Sequence, residues 1–215
     1  MKRLHRPDLY GWSQFDEERN LDFHSVLWVR DGGNVLIDPL PLSKHDARHL
    51  RQLGGVATIV VTNSDHERIA EALSVESGAE LVAAAAERDP ITFECDRYVD
   101  DGDEIVPGLV ALQLHGSKTP GELALLLDGS TLITGDLIRA HAGGRLDLLP
   151  DARLTDRAAA IRSVRRLAAL PGIEAVLVGD GWPVFRDGGR LLQELAERLG
   201  EPAGGAGGAA GTVSC

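Results

Sequence analysis

Cysteine is scarce in this sequence of 215 residues: Cys95 and Cys215 lie far apart, and the second closes a glycine-rich tail. A disulfide framework is excluded as the source of stability, and at 23.0 kDa the chain is long enough to bury a full core without one. No apolar run approaches the roughly 20 residues needed to cross a bilayer. The basic start, Met1 to Arg6, leads into Pro7, Asp8 and Tyr10 rather than into the apolar stretch of a secretory signal. A soluble, cytoplasmic protein is the expectation. Basic residues are also in short supply, 22 Lys and Arg against 33 Asp and Glu, for a formal net charge of -11. That balance repels phosphate backbones and anionic lipid. The most basic stretch, Arg157 to Arg166, has helical spacing and reads as a solvated helix face, so neither nucleic acid nor a membrane surface is expected as a partner. There is no internal repeat and no sign of a second domain.

What is present is the content of a globular chain, 43% hydrophobic and 26% charged. Apolar, β-branched runs alternate with runs of helical period, the pattern of an α/β protein. Strands are expected at 25–29, 34–37, 58–61, 80–83, 109–114, 123–127, 131–134 and 175–178. Asp128-Gly129 between two of these runs reads as an antiparallel hairpin, which disfavours a purely parallel sheet. Ser43, with Asp46 three residues on, caps a helix over 44–53 that ends at Gly54-Gly55. Asn63 or Ser64 is positioned to cap a helix from near Asp65. Ile161, Val164, Leu167 and Ala168 form the apolar stripe of a helix from near Asp156, and Leu191, Leu192, Leu195 and Leu199 form another. One domain over 1–199 is expected, and the Gly/Ala-rich residues 200–215 have nothing to bury and read as disordered.

Polar residues collect where predicted strands end, the usual place for a site in open α/β folds. The segments are Thr62-Asn63-Ser64-Asp65-His66, His115-Gly116-Ser117-Lys118-Thr119-Pro120-Gly121, Gly135-Asp136, and Gly179-Asp180-Gly181-Trp182. Two familiar readings fail. A phosphate loop needs glycine where Ser117 and Leu112 stand, and Pro120 opposes the helix that must follow. A dinucleotide fingerprint at Gly179-x-Gly181 lacks its third glycine, since Val184 stands there.

In this order, with Leu36-Ile37-Asp38-Pro39 ahead of them, the segments resemble the metallo-β-lactamase superfamily over roughly residues 24 to 182. The resemblance implies an α/β fold, a four-layer αββα sandwich, with one or two metals at the edge of its two sheets. The family pattern places His-x-His-x-Asp-His on the first polar segment, a histidine before the Pro-Gly loop, an aspartate after a Thr-Gly strand end, and a histidine in a late Gly-His-Gly turn. Here Asp65 and His66 match the Asp-His pair and Asp136 matches the bridging aspartate. Val61, Asn63, Lys118 and Asp180 stand at the other histidine positions.

The implied metal ligands are therefore Asp65, His66, Asp136 and Asp180, an oxygen-rich set that suits manganese, iron or magnesium as well as zinc. The implied cofactor is at most one divalent metal (Zn, Mn or Fe), and a site with none stays open. Two readings follow. In one, a divergent hydrolase acts on a small soluble substrate, an ester, thioester, lactone or phosphoester, with Lys118 and Asp136 as catalytic groups and Lys118 stabilising an oxyanion. In the other, the fold is a catalytically inactive module that binds a small-molecule ligand, and Lys118 replaces a metal by pairing with the aspartates. His24, His115 and His141 are further candidates for the pocket lining. Tyr10 and Trp12, in a segment too polar to be core, are expected near the pocket mouth, as is Trp182.

Overall fold

The computed structural model describes residues 1–200; apart from Gly200, the tail expected to be disordered lies outside the described residues. In chain order the elements are β1 (Lys2–Arg3), β2 (Leu9–Asp16), β3 (Leu21–Trp28), β4 (Val35–Ile37), α1 (Lys44–Gln52), β5 (Thr58–Val61), α2 (Ala70–Ser77), β6 (Glu80–Ala84), β7 (Arg97–Val99), β8 (Glu104–Val106), β9 (Leu109–Gln113), β10 (Leu123–Leu127), β11 (Thr131–Thr134), β12 (Ile138–Ala142), β13 (Arg145–Leu148), α3 (Arg157–Ala168), β14 (Ala175–Leu177) and α4 (Gly188–Gly200), with short 3₁₀ turns at Ser64–His66, Ala85–Glu87 and Asp151–Arg153. They build a seven-stranded sheet in the order β1-β2-β3-β4-β5-β6-β7, a five-stranded sheet in the order β14-β11-β10-β9-β8, and the ribbon β12-β13.

The period of two along each central strand assigns its side chains to layers. Leu36, Ile59 and Val61 face outward from the larger sheet and pack with Leu50 of α1 and Leu73 of α2. Val35, Ile37 and Val60 face the other way and meet Leu123, Leu125 and Ile133 of the smaller sheet. Behind that sheet, Ala124 and Leu132 pack with Val164 and Leu167 of α3 and with Leu191, Leu192 and Leu195 of α4. The result is helix, sheet, sheet, helix. Because both faces of the central strands are covered, their sequences are near-continuous apolar runs rather than alternating ones.

Local chemistry fixes the ends of these elements. Ser43 Oγ accepts from Asp46 N at 3.0 Å at the head of α1, and Asp156 Oδ1 accepts from Ala159 N at 3.0 Å at the head of α3. Asp128 and Gly129, at φ 47° and 65°, turn β10 into β11. Before α2 the chain makes only the 3₁₀ turn Ser64–His66, whose cap is Asn63, so the helix expected from Asp65 begins five residues later.

One expectation needs correction. The polar N-terminal segment is a paired strand: β2 and β3 are in register from Leu9↔Trp28 to Asp16↔Leu21. Tyr10 and Trp12 pack, partly buried, on the apolar cluster outside the larger sheet, and neither lines the cavity that holds Asp65, His66, Lys118, Asp136 and Asp180. The second half of this strand, Ser13-Gln14-Phe15, is exposed and held by backbone pairing to β3, which needs no apolar run, and this is why polarity misled. The far end of β3 reaches the smaller sheet, where His24 N donates to Gly179 O at 2.9 Å and Gly181 N donates to Asp22 O at 2.9 Å. This seam joins the sheets at the edge that carries the site.

Candidate functional site

A cavity of about 720 Å³ opens at that edge, and Asp65, His66, Lys118, Asp136 and Asp180 all line it. His141 lines it too; His24 and His115 do not, and Trp182 is 64% exposed on the adjoining surface. His24 is instead turned toward the seam, its Nε2 2.6 Å from Gly181 O.

Each polar segment sits in a loop that leaves a buried strand, and two buried glutamates tie those loops together. Glu87 accepts from Ser64 N at 2.9 Å and Gly121 N at 2.6 Å. Glu122 accepts from Ser117 Oγ at 2.5 Å and Leu137 N at 2.8 Å. Burial, with Asp136 nearby, pushes the Glu122 carboxyl above the ordinary range. Close approach of the loops requires missing side chains. A Cβ on Gly179 would stand 2.8 Å from Gly135 O and 2.9 Å from His66 Cε1.

His66 is buried between two carboxylates. Its Nδ1 lies 2.7 Å from Asp38 Oδ2, and its Nε2 lies 3.4 Å from Asp136 Oδ2. Thr62 fixes Asp38 in turn, donating N–H to Oδ1 at 2.8 Å and Oγ–H to Oδ2 at 2.6 Å. Burial opposes a charge on His66, but Asp38 and Asp136 outweigh it and lift the pKa from 6.5 to about 9. At neutral pH the ring is an imidazolium with both nitrogens protonated.

Lys118 completes the cluster. Its Nζ is 2.6 Å from Asp65 Oδ2 and 3.0 Å from Asp136 Oδ2. Burial works against the ammonium, yet Asp136 and Asp65 together raise its pKa above that of an ordinary lysine. Asn63 Nδ2 donates to the same Asp136 oxygen at 3.0 Å. Burial alone would raise Asp136; His66 and Lys118 reverse it and hold the carboxyl well below the usual range. Asp180 lies on the same cavity but is held by other groups, Arg139 and the Nε2 of His141, the latter at 3.2 Å.

This donor set does not fit a metal ion. Asp136 Oδ2 already meets three N–H groups, from Asn63, His66 and Lys118, and Lys118 Nζ takes Asp65 Oδ2 as well. Among the described residues no group of three or more His, Cys, Asp or Glu is arranged to hold one.

Sequence reasoning missed Asp38, Arg68 and Arg139, and weighed Asn63 as a helix cap and as the occupant of a family histidine position, not as a partner of Asp136. Asp38 carried a signal, a carboxylate immediately after a buried strand and before Pro39, with a left-handed φ of 49° that only the structure reveals. Nothing in the local sequence marked Arg139.

The family model for the metallo-beta-lactamase superfamily matches residues 1–199, and the chain belongs to that superfamily. Among solved structures, a metallo-β-lactamase from Pontibacter korlensis is 16% identical, with a TM-score of 0.71 over 92% of this chain and 97% of that one. One from Erythrobacter litoralis is 16% identical, with a TM-score of 0.71 over 90% and 94%. The mono-zinc form of FIM-1 from Pseudomonas aeruginosa is 15% identical, with a TM-score of 0.68 over 90% and 92%. At these identities the likeness establishes the αββα fold. No curated protein matches the chain. Membership supports a hydrolase-like metallo-enzyme at the level of the superfamily, whose members usually bind zinc. No helix among the described residues is long and apolar enough to cross a membrane.

Proposed function

We propose that this chain is a metal-independent member of the superfamily, in which the Lys118 ammonium takes the electrostatic place of a metal and the cavity binds a small soluble ligand. The observation that carries this reading is the position of Lys118 Nζ, within 3.0 Å of both Asp65 and Asp136. The ammonium bridges the two carboxylates and offsets one of their two negative charges, without an open coordination position. Hydrolysis through a metal needs a bound water of lowered pKa. Neither Lys118 nor His66 replaces that function at neutral pH, because both are protonated and neither accepts a proton. Asp136, pinned by three donors, is a positioning group for Lys118 and His66.

Superfamily membership favours a second reading, hydrolysis of a small ester, thioester, lactone or phosphoester with one metal ion. It requires Lys118 to leave the aspartates and His66 to lose a proton. Titrating metal-stripped protein with Zn²⁺, Mn²⁺ and Fe²⁺ by calorimetry and thermal melting separates the two. The metal-independent reading expects no stoichiometric binding and no rise in Tm, whereas a ligand at 100 times its Kd adds about 2.7 kcal/mol to stability. One equivalent of tightly bound metal that raises Tm and turns on hydrolysis of any of those four substrate classes overturns it.

A further inference from the structure

The charge of the cavity runs opposite to that of the protein. The chain carries a formal net charge of -11, yet five permanent cations, Arg19, Arg68, Lys118, Arg139 and Arg153, line the cavity against three carboxylates, Asp65, Asp136 and Asp180. The excess of two positive charges holds with every histidine left out. Internal pairing uses up Lys118 on Asp65 and Asp136, and Arg139 on Asp180. The three remaining guanidiniums carry the excess.

Those three are differently held. Arg68 is half-buried and anchored through one nitrogen, Nη1, which donates to His24 O at 2.6 Å and Asp38 O at 2.7 Å. Both partners are main-chain carbonyls, so they fix the guanidinium without neutralising it. Arg19 is exposed, its nearest carboxylate Asp16 at 3.9 Å. Arg153 ends the exposed 3₁₀ turn Asp151–Arg153 at the cavity rim. The first two both approach the ring of Phe23, the Arg68 guanidinium carbon 5.9 Å and that of Arg19 5.5 Å from its centroid. Leu21, Leu40 and Pro150 extend this apolar surface. A partly enclosed guanidinium with no carboxylate partner is costly unless an anion compensates it, and planar guanidinium forks match carboxylate and phosphoryl oxygens.

Resting on the metal-independent reading above, we infer that the cavity takes a small dianion, a phosphate monoester or a dicarboxylate, with Arg19, Arg68 and Arg153 supplying the charge and Phe23 the surface for its organic body. The ligand enters a field of fixed positive charge inside an acidic molecule that repels anions elsewhere, so selection rests on the cavity and falls with ionic strength.

The test is isothermal calorimetry of the full chain in a zwitterionic buffer with phenyl phosphate, inorganic phosphate, phthalate and the monoanion benzoate. Saturable one-to-one binding of phenyl phosphate or phthalate, weaker binding of benzoate, and a loss of about tenfold or more in Arg68→Gln are expected. Arg153→Gln is the safeguard against misfolding, since its side chain is exposed, and it should weaken the same ligands with an unchanged melting temperature. Phenyl phosphate and phthalate distinguish the phosphoryl from the dicarboxylate source. Absence of saturable binding by any dianion, or binding untouched by both arginine variants, overturns the inference and leaves the metal-independent reading standing. Metal binding in the titrations above with no dianion binding overturns both.

Discussion

The residue that governs this site is His66, and its state depends on a side chain 28 positions earlier. Asp38 sits 2.7 Å from Nδ1, ahead of Asp136 at 3.4 Å from Nε2, and its charge is the largest of the influences that keep the buried ring protonated. Asp38→Asn removes that charge while keeping the shape. The imidazole, titrating at about 9 in the native protein, is expected to fall by at least one unit toward its ordinary value, a change of about 1.4 kcal/mol in the proton's binding. Nuclear magnetic resonance of the ring protons reads it directly. An unmoved titration would mean that Asp136, not Asp38, sets the state of the ring. The motif Asp65-His66 was legible in the chain, as was Asp136. The partner that gives His66 its chemistry was not, because local sequence holds no measure of which carboxylate stands beneath a ring.

At the scale of elements, the site is a meeting of loops held by buried glutamates. Glu87 has no exposed surface and joins the 3₁₀ turn at Ser64 to the loop before β10 at Gly121. Replacing it by alanine leaves two backbone N–H groups without their acceptor, for a cost of about 2–4 kcal/mol. Chemical denaturation measures that loss, and hydrogen exchange should localise it to residues 63–66 and 117–122 before any effect on β4 or β5. A uniform loss of protection would mean that Glu87 supports the core rather than the loops. Elements with strong apolar period or capping chemistry, such as β5, β10, β11, α1 and α3, were readable from the chain within a residue or two. The polar hairpin strand β2 and the short strands β7, β8, β12 and β13 were not, since their stability comes from pairing with neighbours distant in sequence, as in the Arg97 to Glu80 contact at 2.8 Å across β7 and β6.

For the whole molecule, the buried charges predict how stability follows pH. The folded pKa of His66 lies above its unfolded value of 6.5, so the stability it contributes is complete below pH 6.5 and disappears as pH rises through about 9. Asp136, held below 3.8, contributes stability that is present above that value and lost in acid. Glu122, raised by burial from 4.5 to about 7, adds an earlier decline of its own as pH rises from 4.5 through about 7. Thermal melts from pH 4 to 10 should therefore peak in the weakly acidic range and fall between pH 7 and 9, with the fall shallower in Asp38→Asn. A flat profile through pH 9 would contradict the buried imidazolium.

That the central strands are covered on both faces was set by the chain itself, because Val35-Leu36-Ile37 and Ile59-Val60-Val61 are apolar at successive positions and successive side chains point to opposite sides of a sheet; the four-layer order was what the family resemblance implied. The order of the polar segments likewise placed Asp65, His66, Lys118, Asp136 and Asp180 at strand ends. Tertiary structure alone decided that Lys118 lies between Asp65 and Asp136, that Asp38 stands under His66 and that Arg139 takes Asp180. Those are differences of a few ångströms between residues tens of positions apart, and at that range a change of one ångström separates an ion pair from a vacant ligand.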